Sequence, residues 1–126
     1  MPGPKDWLVK ASNDLKAAKK LSDETDTFDC SVFHTHQCAE KALKGFIVAA
    51  GQGIPKTHDL KLLIERCVEF RAEIVLLREA GKDLNAYGSV SRYPNDYFFV
   101  DKQETSEAIQ AAEKILTTIK QKVLHE

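Results

Sequence analysis

Hydrophobic residues recur at intervals of three and four along most of this chain, which is the spacing that buries one face of an α-helix. Alternation with a period of two, which would indicate β-strands, is almost absent. Five segments show the helical spacing, and they start near Asp6, Phe28, Thr57, Ala72 and Asp101. The pattern predicts an all-α protein that folds as an up-and-down antiparallel bundle of about five helices.

Helix breakers and capping residues set the predicted boundaries. Gly51 and Gly53 end the second helix near residue 50, and Thr57 is the predicted N-cap of the third. Asp101 and Glu104 have the spacing of a capping box at the start of the last helix. No glycine or proline separates the third predicted helix from the fourth, at 72–87, so the pattern allows two helices or one bent helix.

Composition limits the class of protein. The 126 residues predict one domain over 1–126, with residues 1–5 disordered. The 18 basic and 19 acidic residues nearly cancel, which argues against a broad polybasic surface. Three cysteines cannot form a complete disulfide framework, and no apolar run approaches the roughly 20 residues that span a bilayer. We therefore expect a cytoplasmic protein without a membrane segment.

One sector of the second helix is polar. Projected at 100° per residue, Gln37, Glu40, Lys41 and Lys44 fall together, opposite the apolar face. One interpretation is a solvated surface on which Glu40 and Lys44 form an ordinary i,i+4 pair. The other is a binding site that uses these four side chains.

His58 and Arg92 are the other candidates for chemistry. His58 lies where the third helix starts, and unpaired N–H groups at a helix N-terminus attract anions. It could therefore contact a phosphate or act as an acid or base, or it could simply bond locally. Arg92 stands in an aromatic loop with Tyr93 and Pro94. It could bind phosphate, or form a structural ion pair with Asp96.

Cys30, His34 and Cys38 line up on one side of the second helix, which raises the question of a metal site. Cys30 and Cys38 are about 12 Å apart along the axis, too far to share one ion. A zinc site would need further ligands such as Cys67 or His58. The sequence also lacks the usual nucleophile and phosphate-loop motifs. We expect neither a metal nor a cofactor.

Several of these residues together resemble a known family. The second helix carries the run Phe33-x-x-x-Gln37-x-Ala39-Glu40-Lys41-Ala42-Leu43-Lys44, which is similar to the signature of HEPN (higher eukaryotes and prokaryotes nucleotide-binding) domains. Further matches are Trp7 and Asp14-Leu15 in the first helix, Thr57-His58-Asp59-Leu60, and Arg92-Tyr93-Pro94 in the loop. The resemblance extends from about Trp7 to Val123.

The resemblance implies a five-helix bundle, usually a homodimer, with a nucleotide or RNA as ligand. In prokaryotic members it also implies a minimal nucleotidyltransferase partner, as in a toxin–antitoxin pair. Our leading hypothesis is that the ligand is bound by Gln37, Glu40, Lys41, Lys44, His58, Arg92 and Tyr93. Lysines and Arg92 would contact phosphate, Tyr93 would stack, and Gln37 and Glu40 would orient these groups or recognise a base or ribose edge.

One family feature is missing. Many HEPN members are metal-independent endoribonucleases with an Arg, four to six residues and then a His, but Tyr97, Phe98 and Phe99 occupy the corresponding positions after Arg92. We therefore favour a noncatalytic or weakly catalytic binding protein. Two alternatives remain open: an interaction subunit with no ligand of its own, and a divergent endoribonuclease in which His58 reaches Arg92 across the bundle.

Overall fold

The computed structural model describes residues 2–88 and 99–124. Within them the chain forms five α-helices and no strand, which confirms the predicted all-α bundle. The helices are α1 (Pro4–Leu21), α2 (Phe28–Ala49), α3 (Leu60–Val68), α4 (Arg78–Asn85) and α5 (Lys102–Leu124). None of these helices is long and apolar enough to cross a membrane.

Helix α2 forms the centre of the bundle and packs against the other four helices. It approaches α1 closely at Gly45, where a Cβ atom would lie 2.9 Å from Cβ of Trp7. Glycine at this point lets two helix backbones pack together. The core contains apolar side chains from every helix and from the segment before α4, including Leu8, Leu15, Leu43, Ile47, Leu60, Leu63, Ile74, Leu84, Ile115 and Ile119.

Helix α1 starts earlier than the sequence predicts. Pro4 and Lys5 belong to it, although the sequence predicts disorder over residues 1–5; residue 1 lies outside the described residues. The backbone N–H of Gly3 donates to Oδ2 of Asp6 at 2.8 Å, and proline suits the first turn because its missing N–H needs no partner there. These local bonds order the start of the chain.

The end of α2 and the start of α5 confirm the predicted boundaries. Gly51 has φ +75°, while its N–H donates to the carbonyl of Val48 and Gln52 N–H donates to that of Ile47. This is a Schellman ending. At α5, Asp101 and Glu104 each accept the other's backbone N–H, at 2.7 and 3.2 Å, which completes the capping box.

The predicted start of the third helix was wrong. Asp59, and not Thr57, is the N-cap of α3, and its carboxylate accepts from Lys61 N–H at 3.0 Å. The hydroxyl of Thr57 instead accepts from Asp59 N–H, which forms a turn before the helix. Helices α3 and α4 are separate, because a non-helical turn and a 3₁₀ segment, Ala72–Leu77, lie between them.

Candidate functional site

Two groups of ionisable side chains each include residues of α2. The first, here called the Glu40 cluster, consists of His36, Glu40, Lys44 and His58. The second, the Asp14 cluster, consists of Asp14, His34 and Lys41. Both join α2 to another part of the bundle: the Glu40 cluster to the residues before α3, and the Asp14 cluster to α1.

Glu40 is the buried centre of its cluster, with only 7% of its side chain exposed. One carboxylate oxygen accepts from Nζ of Lys44 at 2.9 Å, and the other accepts from Nδ1 of His58, also at 2.9 Å. Burial alone would raise the pKa of Glu40, but the hydrogen bonds from Lys44 and His58 outweigh it and hold that pKa below its ordinary value. The carboxylate therefore stays ionised at neutral pH.

Among the described residues, His58 forms a hydrogen bond through one ring nitrogen, Nδ1. Because a carboxylate can only accept, Nδ1 of His58 must carry the proton in this contact. Its Nε2 is then a free lone pair in the neutral ring and a second donor in the cation. The side chain is 80% exposed. The arrangement thus presents an oriented imidazole to solvent.

His36 supports His58 from inside the protein. It is fully buried, and its Nε2 donates to the backbone carbonyl of His58 at 3.0 Å. Its Nδ1 has no hydrogen-bond partner among the described residues. Burial lowers the pKa of His36, so the ring is neutral near pH 7. Gly88 lies against this ring, where a Cβ atom would approach Nε2 to 2.9 Å.

The Asp14 cluster holds a second lysine, Lys41, in an ion pair. Asp14 has 11% of its side chain exposed and accepts from Nζ of Lys41 at 2.7 Å. Its other oxygen lies 2.9 Å from Nδ1 of His34, whose ring meets Phe33 edge-on. The Lys41 side chain remains 31% exposed. A lysine ammonium has three donors, so Lys41 can hold Asp14 and still contact a ligand.

At the start of α3, two of the N–H groups that the sequence suggested for anion binding already have side-chain acceptors. Leu60 N–H donates to the side chain of Asn85 at 2.9 Å, and Lys61 N–H donates to Asp59. A carboxylate already occupies this helix end. An anion at this helix end would therefore compete with the side chains of Asp59 and Asn85.

The structure brings only part of the predicted site together. Glu40, Lys44 and His58 meet directly, while Lys41 bonds to Asp14. The interpretation of α2 as a solvated face was wrong, although the Glu40–Lys44 pair that it assumed is present. Gln37 is half-buried on the same helix and has no hydrogen bond to either cluster in the described part of the chain. The predictions for Arg92 and Tyr93 lie outside the described residues.

The metal ligands considered from the sequence all lie within the described residues. Within residues 2–88 and 99–124, no three His, Cys, Asp or Glu side chains come together in a way that could hold a metal ion. Cys38 and Cys67 are buried, and burial raises the pKa of each thiol to about 12. At neutral pH these thiols are protonated and poor ligands.

Two members of the clusters were not predicted from residue chemistry, although a signal for each was present. Asp14 shares the apolar stripe of α1 with Ala11 and Leu15, and His36 shares that of α2 with Val32 and Ala39. An ionisable residue on an apolar stripe is rarely buried unless it has a partner. Such positions therefore indicate buried polar contacts from the amino-acid sequence alone.

Comparison with known proteins extends the picture to the whole chain. A model of the HEPN domain family matches residues 4–122. The candidate toxin MJ1304 of Methanocaldococcus jannaschii is 26% identical over 130 residues, covering 90% of this chain and 84% of that protein. In crystal structures, TT1696 from Thermus thermophilus superposes with a TM-score of 0.80 at 30% identity, over 97% of this chain and 99% of its own. The archaeal HEPN homologue ST0689 superposes with a TM-score of 0.78 at 25% identity, over 98% of this chain and 99% of its own.

Proposed function

Since this chain belongs to the HEPN domain family, we propose that it is the toxin-like member of a two-protein system. In this proposal it is a cytoplasmic homodimer that binds a nucleotide or RNA through phosphate, and it acts with a minimal nucleotidyltransferase as partner. Its similarity to the candidate toxin MJ1304 supports the toxin-like role. The Glu40 cluster supports the binding of phosphate.

The observation that carries the proposal is the contact between Glu40 and His58. A buried carboxylate fixes the exposed ring through Nδ1, so the doubly protonated His58 ring can donate from Nε2 to a phosphate oxygen without first losing rotational freedom. Lys44 neutralises the Glu40 charge at 2.9 Å, so the buried carboxylate does not repel an anionic ligand. Protonation of His58 then makes the cluster positive.

Three further side chains, Lys41, Arg92 and Tyr93, complete the proposed site. Lys41 follows Glu40 on α2 and supplies a second, half-exposed cation. The described chain leaves the Glu40 cluster at Gly88, four residues before Arg92 in the sequence, and resumes at Phe99, which is 87% exposed. Arg92 would bind phosphate and Tyr93 would stack on a base, as in many single-stranded RNA sites.

The test is a titration with ATP, GTP and a short single-stranded RNA at low and high salt. We expect at least one ligand to bind, to weaken as salt rises, and to lose about tenfold in affinity in the Lys41→Ala/Arg92→Ala variant. The matched control, Arg66→Ala/Lys82→Ala, removes the same charge from exposed positions on α3 and α4. Equal binding by the wild type and the Lys41→Ala/Arg92→Ala variant would refute the site.

The geometry also favours a second candidate function, a metal-independent endoribonuclease. A carboxylate that orients an imidazole through Nδ1 is the arrangement that prepares histidine for general acid–base catalysis at Nε2. His58 would then take the proton from the attacking ribose 2′-hydroxyl as the P–O5′ bond breaks, and would return it to the leaving 5′-oxygen. We expect cleavage of a structured RNA in EDTA that His58→Ala abolishes. No cleavage at high protein concentration would exclude this function.

A further inference from the structure

A groove of about 600 Å³ lies between α1 and the last turns of α5, and none of its lining residues belongs to the Glu40 or Asp14 cluster. From α1 it is lined by Lys5, Leu8, Val9, Ser12 and Asn13, and from α5 by Lys120, Val123 and Leu124. The α1 side spans residues 5 to 13, which corresponds to about 12 Å or two helical turns. The groove is therefore long enough for a short helical segment.

The floor of the groove is apolar. Val9 is 58% exposed and Leu124 is 42% exposed, while Leu8 lies beneath them in the core. Val123 is half-buried between them and the core. Apolar side chains that adjoin in a concave surface, instead of being scattered singly, are typical of a binding surface.

The rim of the groove is positive, although the chain as a whole carries a formal charge of −1. Lys5 and Lys120 line it, and none of the lining residues is acidic. Lys16 and Lys20 lie on the same exposed face of α1 as Lys5, because they follow Lys5 by about three and about four helical turns. The surface therefore attracts a negatively charged partner.

We propose that this groove binds an acidic amphipathic helix of another protein. Apolar side chains at i, i+3 and i+4 of that helix would contact Val9 and Leu124, while its flanking carboxylates would meet Lys5 and Lys120. A second copy of this chain fits poorly, because a two-fold contact at the groove would bring the two lysine rows together. RNA fits poorly as well, because phosphates gain nothing from the apolar floor. This surface goes beyond the proposed function and does not depend on it.

The test uses a fluorescent peptide of about 18 residues that places leucine at helical spacing and glutamate elsewhere. We expect saturable binding to the wild-type protein, weakened about tenfold by either Val9→Asp or Lys120→Glu. Val75→Asp and Lys82→Glu are the matched controls, because they place the same changes at exposed positions away from the groove. The controls should leave affinity unchanged, and Val9→Asp should leave nucleotide binding unchanged.

Each other outcome would overturn the proposal. The first is that the peptide does not bind. The second is that a peptide with lysine in place of glutamate binds with the same affinity, and the third is that Val9→Asp leaves the peptide's affinity unchanged. Competition by a short RNA would assign the groove to nucleic acid. A fall in the molar mass of the Val9→Asp variant on sedimentation would assign it to self-association.

Discussion

The Glu40 carboxylate accepts the Nδ1 proton of His58 over 2.9 Å, and so joins the middle of α2 to a residue just before α3. Lys44 holds the opposite oxygen at the same distance. The pair is asymmetric, because Glu40 is buried and His58 is exposed. One residue therefore provides a fixed support and the other a ring that is open to ligands.

Replacing Glu40 with glutamine is expected to destabilise the protein. Lys44 is only 11% exposed, and the substitution leaves its ammonium without a counter-charge. We expect the free energy of unfolding to fall by roughly 3 kcal/mol, measured by urea denaturation. Glu79→Gln, at an exposed position on α4, is the control and should change stability by less than about 0.5 kcal/mol. Equal effects from the two variants would show that the buried pair contributes nothing.

Glu40 also predicts how stability changes in acid. Its folded pKa lies below the ordinary value of 4.5, so the stability that it contributes is complete well above pH 4.5 and is lost as pH falls through the folded pKa. The acid limb of a stability–pH curve should therefore be flatter in Glu40→Gln than in the wild type. Parallel curves below pH 4.5 would contradict this role.

His36 predicts a separate pH dependence nearer neutrality. Its pKa is lowered from 6.5 by burial, so the unfolded chain binds the proton more readily than the folded protein does. Stability from the neutral ring is complete above pH 6.5 and is lost as pH falls below that value. We expect His36→Gln to remove this loss in urea denaturation at a series of pH values. A variant curve with the wild-type slope between pH 6.5 and the Glu40 range would refute it.

Adding a side chain at Gly88 tests its contact with His36. An alanine Cβ would lie 2.9 Å from Nε2 and 3.0 Å from Cε1 of that buried ring, so the ring or the backbone must shift. We expect Gly88→Ala to cost about 1–3 kcal/mol of unfolding free energy. In a His36→Ala background the same change should cost much less, because the obstructing ring is gone. Additive effects in this double-mutant cycle would show that the two residues do not interact.

The sequence predicted the local features well, because each depends on residues within a few positions. The end of α2 follows from Gly51, and the start of α5 from Asp101 and Glu104. The predicted start of α3 was wrong because Thr57 and Asp59 are both good N-cap residues. Which of the two side chains caps the helix depends on the hydrogen bonds that each makes locally. The spacing of apolar residues alone does not determine which side chain accepts the first N–H groups of the helix.

The site was harder to predict than the fold. The Glu40–Lys44 pair follows from i,i+4 spacing. His58 reaches Glu40 across 18 residues, and Lys41 reaches Asp14 across 27, so both contacts depend on how whole helices pack. Helical periodicity identifies which face is polar, but it does not show which polar residues are buried by a neighbouring element.

The most direct test of the central claim, that Glu40 orients His58 to contact phosphate through Nε2, is ¹⁵N NMR of the histidine rings. In the free protein we expect the neutral His58 ring to carry its proton on Nδ1, and Glu40→Gln to weaken that preference. Addition of a short RNA or nucleotide should shift the Nε2 signal of His58. A neutral His58 ring that carries its proton on Nε2 in the free protein, or an unchanged His58 signal at saturating ligand, would contradict the account.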